Sequence, residues 1–154
     1  MSAPAWLSLL SPLPPDVRVD KVPVATAEQI ASGTASAIQG WHSVRAFVSE
    51  PEFGLRHVLI TLDQDDRLLS GGDHVMRVLD TTSDGSEATL TGHESVGGRF
   101  EADGSFLGTY WNTTSEYSPG DETGVTRNAE SRPPSTEEIA ALRRLIEDVL
   151  GRLP

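Results

Sequence analysis

The sequence has no cysteine, and only one lysine, Lys21, among its twelve basic residues. The first absence excludes disulfides, thiolate-bound zinc, iron–sulfur clusters and a thiol nucleophile. The second leaves a chain whose cations are arginines, outnumbered by 23 carboxylates to give a formal charge of −11. Nucleic-acid binding needs a basic surface to neutralise phosphates, and this composition supplies none. An anionic membrane surface would repel the chain for the same reason, and no apolar run approaches the roughly 20 residues that cross a bilayer. Motifs are equally scarce. There is no G-x-S-x-G elbow and no H-x-x-x-H spacing among His42, His57, His74 and His93. Gly71-Gly72 and Gly97-Gly98 lead into no helix, so neither reads as a phosphate loop. Asp63-Gln64-Asp65-Asp66 lacks the glycine and distal glutamate of a calcium loop. The expectation is no metal, no cofactor, no nucleic acid and no membrane.

What is present fits one domain spanning 1–154, long enough to bury well over half of its unfolded surface. The opening MSAPAWLSLLSPLPP is apolar but has no basic residue before the apolar stretch, as a secretory signal would. It reads as a docking helix or apolar arm, and the protein as cytoplasmic. Residues 1–38 form a helical or irregular lead-in, with Thr26 able to cap a short helix through Ile30. From residue 39 to 114 the period becomes alternating. Trp41, Ser43, Arg45 and Phe47 fall on one face, His42, Val44, Ala46 and Val48 on the other. Val58, Ile60 and Leu62 likewise oppose His57, Leu59 and Thr61. Ser83-Asp84-Gly85 reads as a turn, and Gly71-Gly72 as a break or bulge. Residues 115–134 are polar and aperiodic, a loop. Ser135 and Glu138 make an S-x-x-E capping pattern, opening a helix over 135–152 with Ile139, Leu142, Leu145, Ile146 and Val149 in one apolar stripe and Gly151 as its stop. That stripe packs on the sheet or on a partner subunit. Strands in succession with helices at the ends argue for α+β. The expected fold is an antiparallel, curved meander of five to six strands, with a short N-terminal helical lead-in and one C-terminal helix packed on it.

The stretch from His93 to Trp111 carries the strongest local signal. Asp103-Gly104 is a preferred two-residue hairpin turn. Taken as such, it pairs Glu101 with Phe106 and Phe100 with Leu107. One face then collects Val96, Phe100, Leu107, Thr109 and Trp111, with Glu94 at its rim. The other collects His93, Ser95, Arg99, Glu101, Phe106, Tyr110 and Asn112. A bulge at Gly97-Gly98 would exchange the faces of His93 and Glu94.

No motif specifies an activity. The favoured reading is a cofactor-free small-molecule-binding domain with its pocket beside the 93–112 hairpin, using His93, Glu94, Arg99, Tyr110, Trp111 and Asn112. Aromatic rings with a few convergent polar groups are the usual lining of such a site, and tyrosine and arginine suit an anionic or carbonyl-bearing ligand. One alternative is an acidic interaction, inhibitor or accessory protein, as a homodimer, since Asp and Glu concentrate between Glu50 and Asp103. Another is a lyase, isomerase or hydrolase using Glu94 or His93 as an acid–base group. The sequence does not decide whether the chain is an enzyme.

Overall fold

The computed structural model describes residues 8–25, 27–33, 40–50, 54–81, 89–117 and 125–154. They form β1 (Val19–Pro23), α1 (Ala27–Ala31), β2 (His42–Glu50), β3 (Gly54–Leu62), β4 (Leu68–Thr81), β5 (Thr89–Phe100), β6 (Phe106–Tyr117), β7 (Val125–Arg132) and α2 (Thr136–Gly151). The strands make one antiparallel sheet in sequence order, β1 to β7. The class is α+β, as the order of elements predicts. The strand number is not: there are seven rather than five to six. The lead-in contributes a strand and a five-residue turn of helix, with no longer helix before the sheet among its described residues. Likewise β7 and the end of β6 lie inside the segment read as a loop. Of the described side chains of β7 only Arg132 is half-buried. The strand therefore has no apolar alternation to read. The Ser83-Asp84-Gly85 turn, Thr26 and the first seven residues lie outside the described residues.

Alternation sorts the sheet into two faces. Val44, Ala46, Val58, Ile60, Leu62, Val75, Val96 and Phe100 are buried on one of them. There α2 lays down Leu142, Leu145, Ile146 and Val149, so the apolar stripe is core. Ser135 caps α2, accepting from the Glu138 N–H at 3.1 Å while Glu138 accepts from the Ser135 N–H at 2.8 Å. Gly151 is the last helical residue, and Arg152 is the C-cap. A seven-stranded sheet is about 30 Å across, whereas a helix is about 10 Å wide. One helix therefore covers only part of one face. The segment from Leu9 to Val17 packs against the same core, with Leu13 buried, so its described part is an apolar arm rather than a helix.

The arm is held by a buried ion pair that sequence patterning gave no sign of. Arg56 and Asp73 are 2% and 1% exposed on the helix-side face. Arg56 donates from Nε to Asp73 Oδ1 at 2.9 Å and from Nη2 to Oδ2 at 2.8 Å. Its remaining donors reach Ser11 Oγ at 3.1 Å and the Ser11 carbonyl at 2.6 Å. Asp73 Oδ2 also accepts from the Leu10 N–H at 2.7 Å. Leu10 has φ 63°, a left-handed conformation costing a leucine on the order of 1–2 kcal/mol. The charged hydrogen bond from its N–H offsets that cost.

The hairpin register differs from the expected one. The Gly104 N–H donates to the Glu101 carbonyl at 3.0 Å, and the Glu101 N–H to the Ser105 carbonyl at 2.8 Å. The loop thus has three residues, 102–104, with Gly104 at φ 89°, a type I turn closed by a left-handed glycine. Asp103 accepts from the Ser105 N–H and hydroxyl at 2.9 and 2.6 Å. These bonds hold its carboxyl below the usual range. The extra loop residue pairs Phe100 with Phe106 and Val96 with Tyr110. It inverts β6 relative to the two-residue register. Tyr110 is therefore core, while Leu107 and Trp111 face away from α2. Neither glycine pair is a bulge. Gly71 and Gly72 pair straight through with Gly98 and Gly97. A Cβ on Gly71 would lie 2.6 Å from Ile146 Cδ1, so that glycine lets α2 approach.

Candidate functional site

The register splits the six expected residues between the faces. Glu94, Tyr110 and Asn112 lie on the helix side; His93, Arg99 and Trp111 lie on the other. A depression of about 310 Å³ is bounded by His93, Glu94, Tyr110 and Asn112, so four of the six do meet there. Its polar groups bind one another. Arg77 bridges Glu94 Oε1, and the Tyr110 hydroxyl donates to Glu94 Oε2 at 3.0 Å. Asn112 Nδ2 donates to the Tyr110 hydroxyl at 2.9 Å and to Glu130 at 3.2 Å. The Arg132 guanidinium sits 4.1 Å over the Tyr110 ring and forks onto both Glu138 oxygens at 2.7 and 3.0 Å. That fork, with the cap bond, pulls Glu138 down to about 2. Burial, followed by the Glu94 carboxylate, raises the Tyr110 phenol. Both Glu94 oxygens are engaged, so this is a connected polar network.

The face away from α2 is organised in cross-strand rows. The central row runs Arg45, Leu59, Gly72, Gly97, Thr109. One flanking row is Phe47, His57, His74, Ser95, Trp111, and the other is Ser43, Thr61, Ser70, Arg99, Leu107. Two glycines in the middle of a row between rows of side chains make a trough. A Cβ on Gly72 would point at the Gly97 Cα, 3.2 Å away, so the floor there is backbone. The trough comprises two depressions, of about 630 and 540 Å³, that share Leu59 and Ser70. Phe47 and Leu107 on its flanks are 61% and 57% exposed, and Leu59 is 41% exposed. Its five strands span about 20 Å.

The ring wall is a stack. His57 lies flat on Phe47 at 4.2 Å between centroids, and His74 is tilted on Trp111 and on His93, each at 5.5 Å. His74 Nε2 and His93 Nδ1 are 3.3 Å apart, sharing one hydrogen bond whose direction depends on tautomer. Burial lowers His93, with His74 adding to the effect. Burial, and then Arg45, lowers His57. His57 Nε2 is buried with no hydrogen-bond partner. Among the described residues no three His, Asp or Glu side chains converge as metal ligands, and no helix is long and apolar enough to cross a membrane.

Comparison with family models, with curated proteins and with solved structures returned no match. Function must be read from the site itself. Of the residues expected there, Arg99 lines the trough, Trp111 stands in its ring wall and His93 adjoins that wall. Arg99 forms an ion pair with Glu101, at 2.9 Å. Arg45, Leu59, Ser70 and the glycine floor were not among them. The alternation of β2 and β3 already grouped Arg45 with Phe47 on one face of β2 and set Leu59 opposite Val58 and Ile60 in β3. Bringing those residues beside Gly72 and Gly97 requires the pairing of β3 with β4 and of β4 with β5.

Proposed function

We propose that the chain is a small-molecule-binding domain whose ligand lies in the glycine-floored trough across β2 to β6. The observation that carries this reading is the trough itself, a depression of about 630 Å³ beside the 93–112 hairpin, bounded by exposed apolar side chains. Sites for small ligands have this size and this mixture of apolar walls with a few polar groups. An antiparallel sheet with one solvated face normally turns polar residues outward. Phe47, Leu59 and Leu107 depart from that rule next to the one part of the face where side chains are missing.

The test is native mass spectrometry of the freshly purified protein, followed by denaturation to release whatever it carries, with Ser95→Phe as the comparison. Ser95 stands on the flank of the trough, and a phenyl ring there fills it. The expected result is a small molecule retained by the wild type and lost from Ser95→Phe at unchanged urea midpoint. Retention of the same molecule by both proteins would sink the proposal.

A further inference from the structure

We infer that the trough selects an elongated apolar molecule with an anionic head, and that Arg45 receives the head. The inference rests on the binding reading above and adds to it the chemical class of the ligand. It comes from charge placement. The chain carries 23 carboxylates and 12 cations, so a run of strands whose outward side chains include cations but no carboxylate stands out here. By register, the described outward-facing residues of β2 to β6 include no Asp or Glu, yet they include Arg45, Arg99, His57, His74 and His93. Asp73, Glu94 and Glu130 lie on the helix side of the sheet, and Glu138, Glu147 and Asp148 on α2; on the open face Asp20 of the edge strand β1 stands opposite Arg45 and is paired to Arg18 at 3.3 Å.

The two arginines of the trough are not equivalent. Arg99 is paired to Glu101 and mostly exposed. Arg45 is half-buried and makes no hydrogen bond or ion pair with a described residue. It lies in the depression that also contains Trp41, Ser43 and Thr61, with Asp20 of β1 beyond it in the row. A half-desolvated guanidinium offers a planar fork of donors suited to a carboxylate. Beside it, Leu59 and then the glycine floor lead away for about three strand spacings, roughly 14 Å. This is room for an acyl chain of eight to ten carbons and offers it little to hydrogen-bond. A cationic ligand would meet Arg45, and a wholly polar one would leave Leu59 uncovered.

The experiment uses the full chain and three eight-carbon probes, octanoate, octanamide and octylamine, followed by calorimetric titration and by the imidazole signals of His57. Octanoate should bind about tenfold more tightly than octanamide, the margin expected of hydrogen bonds to a charged partner. Octylamine should bind more weakly than either. A carboxylate at Arg45 also screens the arginine from His57, so octanoate should move the His57 titration upward and octanamide should not. In Arg45→Met, with its urea midpoint checked against wild type, octanoate should fall to the affinity of octanamide. Equal binding of octanoate and octanamide, or an octanoate preference unchanged in Arg45→Met, overturns the anionic class and leaves the trough as a neutral site. Failure of all three probes to bind, together with no retained passenger, overturns both readings.

Discussion

On the helix side of the sheet, Val44, Val58, Ile60 and Val96 are fully buried; on the other side Phe47, Leu59 and Leu107 stand in solvent. β3 shows the contrast within one strand, since Leu55 and Leu59 are exposed while Val58 and Ile60 are not. Hydrophobicity alone does not separate these faces. What separates them is cover and charge. The helix side has α2 and the 9–17 arm over it, and carries the paired carboxylates Asp73 and Glu94. The open side has neither a helix nor an outward carboxylate on its five middle strands. A face that leaves Phe47, Leu59 and Leu107 exposed and uncovered in a chain this acidic is the feature that most needs a functional reason.

The contrast can be broken most severely at the buried ion pair. Arg56→Met leaves Asp73 charged and unpaired, and should cost about 3–5 kcal/mol in urea denaturation. Arg56→Met combined with Asp73→Leu should recover much of that loss. Removing the cover comes next: Leu142→Ala opens a cavity beneath α2 and should cost about 2–5 kcal/mol. Gly71→Val pushes α2 off the sheet through Ile146 and should cost about 1–3 kcal/mol. Ser135→Ala, which removes one half of the capping box, should cost about 1 kcal/mol. At the far end, Leu107→Thr on the open face should change stability by less than about 0.5 kcal/mol. A large loss there would mean that the open face is packed in solution.

Acid sharpens the same comparison, because the two faces titrate in different windows. Glu138 has its pKa depressed to about 2, so its stabilisation is complete above its ordinary value of 4.5 and disappears as pH falls from there toward 2. His57 and His93 are also depressed below 6.5, which for histidine means the fold favours the neutral ring. The unfolded chain takes up protons near pH 6.5 that the folded chain resists. Stability should therefore begin to fall as pH drops below 6.5, before the carboxylates titrate. In His57→Gln with His93→Gln, urea midpoints measured from pH 7.5 down to about 2.5 should lose that first slope and keep the later one.

Much of the sheet was legible from the sequence. The faces of β2, β3 and β5 follow from alternation, and α2 follows from its stripe and capping box. Three things were not. β1 and β7 are polar edge strands, and pattern reading detects buried faces rather than hydrogen-bonded edges. The 102–104 loop holds Asp-Gly, which signals a hairpin but leaves open whether the loop has two or three residues; that single residue decides the side of Tyr110 and Trp111. The glycine pairs suggested bulges because local sequence cannot distinguish a kink from a close approach by another element. Three of the six residues expected at the site therefore stand on or beside the trough wall, and three belong to the polar network behind it.

The bonds that hold the arm have a consequence for the order of folding. Leu10 is fixed by Asp73, 63 positions later. The Pro14 carbonyl accepts from Arg152 at 2.7 Å, across 138 positions. The arm is made before everything that holds it. A growing chain can assemble β2 to β4 while the arm is still free, but Arg56 and Asp73 then lack Ser11 and Leu10, and the arm's carbonyls lack Arg152 until α2 has been made. The earliest described residues to leave the ribosome are thus among the last to be fixed, and complete burial of the charged pair waits for α2 and the Arg152 that follows it.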